Sequence, residues 1–262
     1  DGEVTVRLSV GGEFAPNTSH NVVAEIPGST HPDELIVVGA HYDGHDISQA
    51  ALDDGTGTAV TLEIARVLAT LPPEAIGRTI RFVLFCGEEI GLYGAWQYVA
   101  DNIGDLARVR FMLNLDGAGQ GRGGAEILTI SGRDELVPYF EEMQREIQQP
   151  MEVRNKLGAH SDHYPFAIRG VPTASLYGPD DTSSMVGRGW GHTEADTFDK
   201  VRQTGLQMAA MLVSRLLLRV TNDDAFPYMR MPEEALREQL ADLGQDIALK
   251  RSGRWDLVGQ CP

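Results

Sequence analysis

The sequence predicts an α/β fold, a three-layer α/β/α sandwich around a central mixed, largely parallel sheet. Three observations predict it. Short apolar runs alternate with segments whose apolar residues recur at helical spacing. Two of the runs, 35–40 and 79–85, are apolar almost without a break, as strands covered on both faces are. Acidic and imidazole side chains follow directly after such runs, beyond the carboxyl ends of the strands, where ligands bind in open α/β sheets.

Taken in order, Val4, Val6, Leu8 and Val10 alternate with polar residues, the pattern of a strand with one wet face. Short apolar runs follow at 21–26, 35–40, 79–86, 109–115, 125–130 and 173–177, most of which read as strands. Between them Val60, Ile64, Val67, Leu68 and Leu71 recur at helical spacing, as do Leu136, Phe140, Met143 and Ile147. Two further helices are expected over 201–220 and through Leu236, Leu240, Leu243 and Ile247. Gly117, Gly119 and Gly121 follow a strand as in a dinucleotide-binding fingerprint, but another strand-like run comes next, so the stretch reads as a loop.

The chain has 262 residues, 42% of them hydrophobic, enough for one large core. A single domain over 1–262 is expected, with its core at about 20–220 and a helical tail at about 222–262. No run approaches the roughly 18 apolar residues of a membrane-crossing helix. The polar stretch from Asp1 is not expected to serve as a signal peptide itself, a removed leader would leave no trace, and the setting is left open, with secreted or periplasmic favoured over cytoplasmic. A net charge of −16 argues against nucleic acid and acidic membranes as partners. Cys86 and Cys261 are the only cysteines, which indicates neither a disulfide framework nor a thiolate metal site.

The chemistry-bearing residues converge. His41 and Asp43 follow the first buried run, Glu88 and Glu89 the second, and Asp116 the third. Asp53 and Asp54 precede the helix that begins near Gly55, and His192 lies in a glycine-rich stretch. Each has an ordinary reading: an acidic pair before a helix is usually its cap, and a lone histidine is seldom a ligand. Adjacent carboxylates at the end of an apolar strand nevertheless repel unless something positive compensates them, and a dication would do so.

Six segments carry a resemblance: GAHYDGHD from Gly39, ALDDGTG from Ala51, FCGEEIGLYGA from Phe85, LNLDGAG from Leu113, SDHYPF from Ser161 and GHTEADTFDKV from Gly191. In this order, over about residues 20–220, they make the chain similar to the M28 family of co-catalytic zinc peptidases, which includes bacterial aminopeptidases and carboxypeptidase Q. The resemblance implies a zinc-exopeptidase-like fold and two Zn²⁺ ions, for which Co²⁺ or Mn²⁺ would be substitutes. It implies His41, Asp116 and Asp53 on one ion and Glu89, His192 and Asp53 on the other. It also implies Asp43 as the group that orients His41, and Glu88 as general base. Two dications, three ligand carboxylates and one hydroxide make a neutral cluster.

The implied activity is exopeptidase action on small peptides, with Tyr177 as a candidate oxyanion donor. Ser161, Asp162 and His163 would brace the site, His45 and Asp46 would line the pocket or stay solvated, and 178–191 would form one wall. The 12-residue interval from His41 to Asp53 is similar to that of carboxypeptidase Q. No segment matches the protease-associated domain often inserted in the family, and the tail would pack on the core or serve a homodimer. The alternatives are a glutaminyl cyclase-like enzyme with a single zinc, and a non-catalytic peptidase-fold binding module.

Overall fold

A computed structural model describes residues 4–13, 15–121, 125–179 and 189–260. Cys261 and residues 180–188 of the expected wall lie outside them. Seven strands form one mixed sheet: β1 (Val22–Ile26), β2 (His31–His41), β3 (Arg78–Phe85), β4 (Val109–Asn114), β5 (Glu126–Ile130), β6 (Met151–Asn155) and β7 (Thr173–Tyr177). Their order across the sheet is β1-β3-β2-β4-β7-β5-β6. The four central strands, β3, β2, β4 and β7, are mutually parallel. β1 is antiparallel to β3 at one edge, β5 is antiparallel to β7, and β6 runs parallel to β5.

The two-residue period of the central strands divides the core. Ile36, Val38 and Ala40 face one layer with Ile80, Phe82, Phe111 and Leu113. Against them pack Val60, Ile64 and Leu68 of α1 (Gly55–Leu68), Phe140 and Met143 of α3 (Val137–Ile147), and Leu212, Leu216 and Val220 of α5 (Gln203–Asn222). Leu35 and Val37 point the other way with Val83, Phe85 and Met112. They meet α2 (Tyr93–Asp101), α4 (Tyr164–Ala167), α6 (Glu233–Asp242) and α7 (Asp246–Arg251). Each such fully buried aliphatic side chain contributes about 1.5–3 kcal/mol, so β2, buried from Leu35 onward, is the best anchored strand and a rigid mount for His41 at its end.

Helix α1 shows how the sequence places an element beside the site. Asp54 caps it, its Oδ1 accepting from the Gly57 amide at 3.0 Å and from the Gly117 amide at 2.8 Å. A Cβ at Gly57 would lie 2.0 Å from the Leu115 carbonyl oxygen, so only glycine lets the first turn approach the end of β4 this closely.

The structure departs from the sequence expectations in four places. Val4, Val6, Leu8 and Val10 form no strand and are about four-fifths exposed, because no described strand lies beside them to complete the pleat. β6 was not foreseen: its sequence, MEVRN, buries only Met151 and carries no apolar run. The short helices α2 and α4 also gave too little periodicity to be recognised. The final amphipathic stretch is two helices, α6 and α7, since Gly244 turns the chain at φ +68° after Leu243. Both pack on the core through Leu236, Leu240 and Leu249. Among the described residues no helix is long and apolar enough to cross a membrane.

Candidate metal centre

The carboxyl ends of β2, β3 and β4 and two loops bring five of the predicted residues together. His41 ends β2 with its side chain fully buried. Its Nε2 lies 3.2 Å from Asp53 Oδ1 and 3.7 Å from Asp116 Oδ1. The other Asp53 oxygen is 3.0 Å from Nε2 of His192, which is in turn 3.0 Å from Glu89 Oε2. Asp53 thus presents one oxygen to each histidine. His192 adopts φ +60°, a left-handed conformation that costs a non-glycine residue energy and is concentrated at functional sites. Next to it, a Cβ at Gly191 would come within 3.0 Å of Asp53 Oδ2.

The adjacent acids divide the two roles considered for them. Asp54 is the helix cap, fully buried, and burial pushes its carboxyl well above the usual carboxylate range. Asp53 faces the histidines. Asp43 holds His41 through its backbone: His41 Nδ1 donates to the Asp43 carbonyl at 3.1 Å, while the nearer carboxylate oxygen stands off at 3.6 Å. That carboxylate instead accepts from the amides of Glu88 at 3.1 Å and Glu89 at 3.3 Å, joining the ends of β2 and β3. Burial works to raise the Asp43 pKa, but His41 and these amides hold it below the ordinary value.

Electrostatically the cluster lacks positive charge. Burial, with Asp116, Asp162 and Glu89 nearby, pushes Glu88 up to about 9, and burial with Asp53 pushes Glu89 up to about 7. Burial disfavours protonated His41, yet the carboxylates of Asp116, Asp43 and Asp53 outweigh it and raise its pKa far above the histidine range. Two buried atoms, His41 Nε2 and Glu89 Oε1, have no hydrogen-bond partner among the described residues. With Nδ1 donating to Asp43, Nε2 is the ring nitrogen that faces the cluster, and a cation bound there would take the place of the proton that the carboxylates otherwise hold on it. His41, Asp53 and Glu89 have donor atoms within 4.8 Å of one another, as do His45, Glu89 and His192. Orphaned buried donors, an excess of carboxylates and a set of imidazole and oxygen ligands fit zinc in a hydrolytic site.

The segment 161–163 braces the cluster from below. Ser161 Oγ donates to Asp116 Oδ2 at 2.6 Å and receives Asn114 Nδ2 at 2.6 Å. His163 donates from Nε2 to the Gly158 carbonyl and accepts from Ser175 at Nδ1, and burial lowers its pKa to about 4, so it stays neutral. Asp162 is buried with neither oxygen hydrogen-bonded among the described residues, and burial raises its pKa well above the usual carboxylate range. A cavity of about 400 Å³ opens beside Asp53 and Asp116, with Lys156, Ser175 and Tyr177 in its lining. Tyr177 stands on that wall with its hydroxyl 3.3 Å from Thr129 Oγ1. Glu88, Glu89 and His192 line a second depression, with Leu92, Trp96 and Tyr164. Gly117 and Gly119, at φ +80° and +79°, lie in a loop that leads into β5, as the sequence indicates.

One positioning residue escaped the sequence reading. Asp196 is fully buried, and its two oxygens accept from the amides of Leu52 at 2.7 Å and Asp53 at 3.1 Å. It fixes the backbone of Asp53 from the far side of the chain. Its only signal was its place in the GHTEADTFDKV segment.

A mixed α/β sheet that gathers imidazoles and carboxylates at its carboxyl edge is an architecture suited to metal-assisted hydrolysis. The chain belongs to peptidase family M28, whose model matches residues 21–217. It is 30% identical over 253 residues to aminopeptidase YwaD of Bacillus subtilis, covering 94% of this chain and 53% of that protein. It is 32% identical over 177 residues to carboxypeptidase Q of Mus musculus, covering 66% of this chain and 37% of the relative. The chain thus spans about half, or less, of the length of these relatives. Among solved structures it is similar to BSAP, a zinc aminopeptidase from Bacillus subtilis, with a TM-score of 0.66 and 29% identity over 78% of this chain and 50% of that one. A glutaminyl cyclase from an Acidobacteriales bacterium is also similar, with a TM-score of 0.63 and 27% identity over 77% of this chain and 73% of the other.

Proposed function

We propose that the chain carries the catalytic centre of a zinc-dependent exopeptidase that hydrolyses a terminal bond of small peptides. The observation that carries the reading is the double set of donors sharing Asp53: His41 and Asp116 on one side, Glu89 and His192 on the other. Membership of family M28 supports it, as does the likeness to relatives named aminopeptidase and carboxypeptidase. Two donor sets favour two ions over the single zinc of a cyclase-like enzyme. Zinc bound there supplies Lewis acidity and lowers the pKa of water from about 15.7 towards about 7.

The protein's own residues supply the rest. Glu88 is the proposed general base. Its amide is tied to Asp43, which sets its backbone beside the cluster, and it lines a depression with the apolar side chains of Leu92 and Trp96. In this reading bound dications would supply the positive charge whose lack raises the Glu88 pKa, and its carboxylate would then take a proton from water and return it to the leaving amine. Asp43 and Asp196 hold His41 and Asp53 in place, and Ser161 holds Asp116. Tyr177 is the proposed oxyanion donor, since Thr129 is able to serve as donor in their mutual contact and leave the phenol proton for substrate.

The test is hydrolysis of dipeptides and N-terminal arylamides by wild type and Glu88→Gln, with zinc content measured on both. Turnover in the variant is expected to fall about 10²–10⁴-fold at unchanged zinc content. Equal turnover in the two proteins would remove Glu88 from the mechanism. The preferred substrate assigns the end of the peptide that is cut.

A further inference from the structure

The loop between β2 and α1 carries a third imidazole that the paired donor sets leave out. His45 Nε2 is 3.1 Å from Glu89 Oε2, the same oxygen that lies 3.0 Å from His192 Nε2. The His45 and His192 rings are 4.2 Å apart between centroids, tilted by 52°. Tetrahedral zinc with bonds of about 2.0–2.1 Å sets its ligand atoms roughly 3.3 Å from one another. The His45–Glu89 and His192–Glu89 separations, 3.1 and 3.0 Å, are close to two edges of such a tetrahedron, and His45, Glu89 and His192 have donor atoms within 4.8 Å of one another; Asp53 Oδ2 adjoins this group through His192, at 3.0 Å.

The loop is built to hold His45 there. A Cβ on Gly44 would lie 2.0 Å from the Ala50 Cβ, so glycine alone lets the chain fold back at this point. The turn is closed by the Ser48 amide donating to the His45 carbonyl at 3.1 Å, and by the Ala50 amide donating to Ser48 Oγ at 3.0 Å. The Gln49 amide donates to the Asp196 carbonyl at 3.1 Å, which ties this loop to the one bearing His192.

We propose, resting on the metallopeptidase reading above, that His45 is a fourth protein ligand on the Glu89–His192 side, which makes the two halves of the centre unequal. Asp53, Glu89, His192 and His45 form a closed, tight zinc site. His41, Asp53 and Asp116 form a site with three protein donors and an open position, as catalytic zinc sites keep. His45 adds a donor without adding charge, so the closed half still sets two carboxylates against one dication. Loading is therefore sequential, the closed half filling first.

Zinc titration of the chelator-stripped chain, followed by binding heat and by competition with a chromophoric chelator, tests this. Wild type is expected to take up zinc in two resolved steps of one ion each. His45→Ala should weaken the first step by at least the roughly 10–100-fold lost when an outer partner of a metal ligand is removed. Asp116→Asn should weaken only the second. Cobalt loaded to one equivalent should change its visible absorption between wild type and His45→Ala, a change of coordination that a merely structural His45 would not produce. Because the His45 side chain is about one-third exposed, the variant should fold as wild type does, which far-ultraviolet circular dichroism of the stripped proteins checks. If His45→Ala leaves both steps unchanged, or weakens both equally, the assignment is overturned while the peptidase reading stands. Wild type that binds no zinc overturns both.

Discussion

At the scale of single residues, the cluster is held by groups buried behind it, Asp196 among them. The Asp196 carboxylate accepts two backbone amides, one of them that of Asp53, across 143 positions of sequence. Asp196→Ala is expected to lower zinc affinity about 10–100-fold with the fold intact, and equilibrium dialysis against a zinc buffer measures it. Glu126 is a second buried carboxyl, 3% exposed, with the Gly119 amide at 3.4 Å. Burial raises its pKa from 4.5 to about 7. Between those values the folded chain keeps a proton that the unfolded chain has lost, so this group's contribution to stability falls as pH rises from about 4.5 to 7 and is level above. Glu126→Gln should remove that slope and gain up to about 3 kcal/mol at pH 8 relative to pH 4, which denaturant unfolding at the two pH values reads. The candidate ligands His41, Glu89 and Asp116 were legible in the sequence because each follows an apolar strand run. Asp196 was not, because its partners are backbone amides, which leave no trace in residue identity.

At the scale of elements, the parallel centre of the sheet could be read directly. Strands buried on both faces must be apolar throughout, and β2 and β3 are. The edges were harder to read. β6 is a strand because β5 pairs with it from Glu126↔Met151 to Ile130↔Asn155, although its own side chains are mostly solvated. Val4 to Val10 shows the reverse, a strand pattern with no described neighbour to pair with. Alternation records which side chains could share a face and says nothing of whether a partner is present. In the tail the periodicity was right and the continuity wrong, because one left-handed glycine ends α6. Leu240 of α6 is fully buried in the layer that also holds Phe85 and Met112. Leu240→Ala should cost about 2–5 kcal/mol, seen as an earlier midpoint in denaturant unfolding; a shift below about 0.5 kcal/mol would detach the tail from the core.

At the scale of the whole molecule, fold and site form one argument. Four parallel strands point their carboxyl ends the same way, three of them deliver His41, Glu88 with Glu89, and Asp116 to one edge, and the loops before α1 and α5 bring Asp53 and His192 over them. Burial then sets carboxylates side by side with too little positive charge, and leaves an imidazole nitrogen and a carboxylate oxygen without hydrogen-bond partners among the described residues. The central claim is that this arrangement is completed by two zinc ions. The measurement that tests it most directly is the metal content of the purified chain after equilibration with zinc and removal of the excess. The account predicts two zinc ions per chain. No zinc would contradict it outright, and a single ion would replace the shared-Asp53 centre with the cyclase-like alternative.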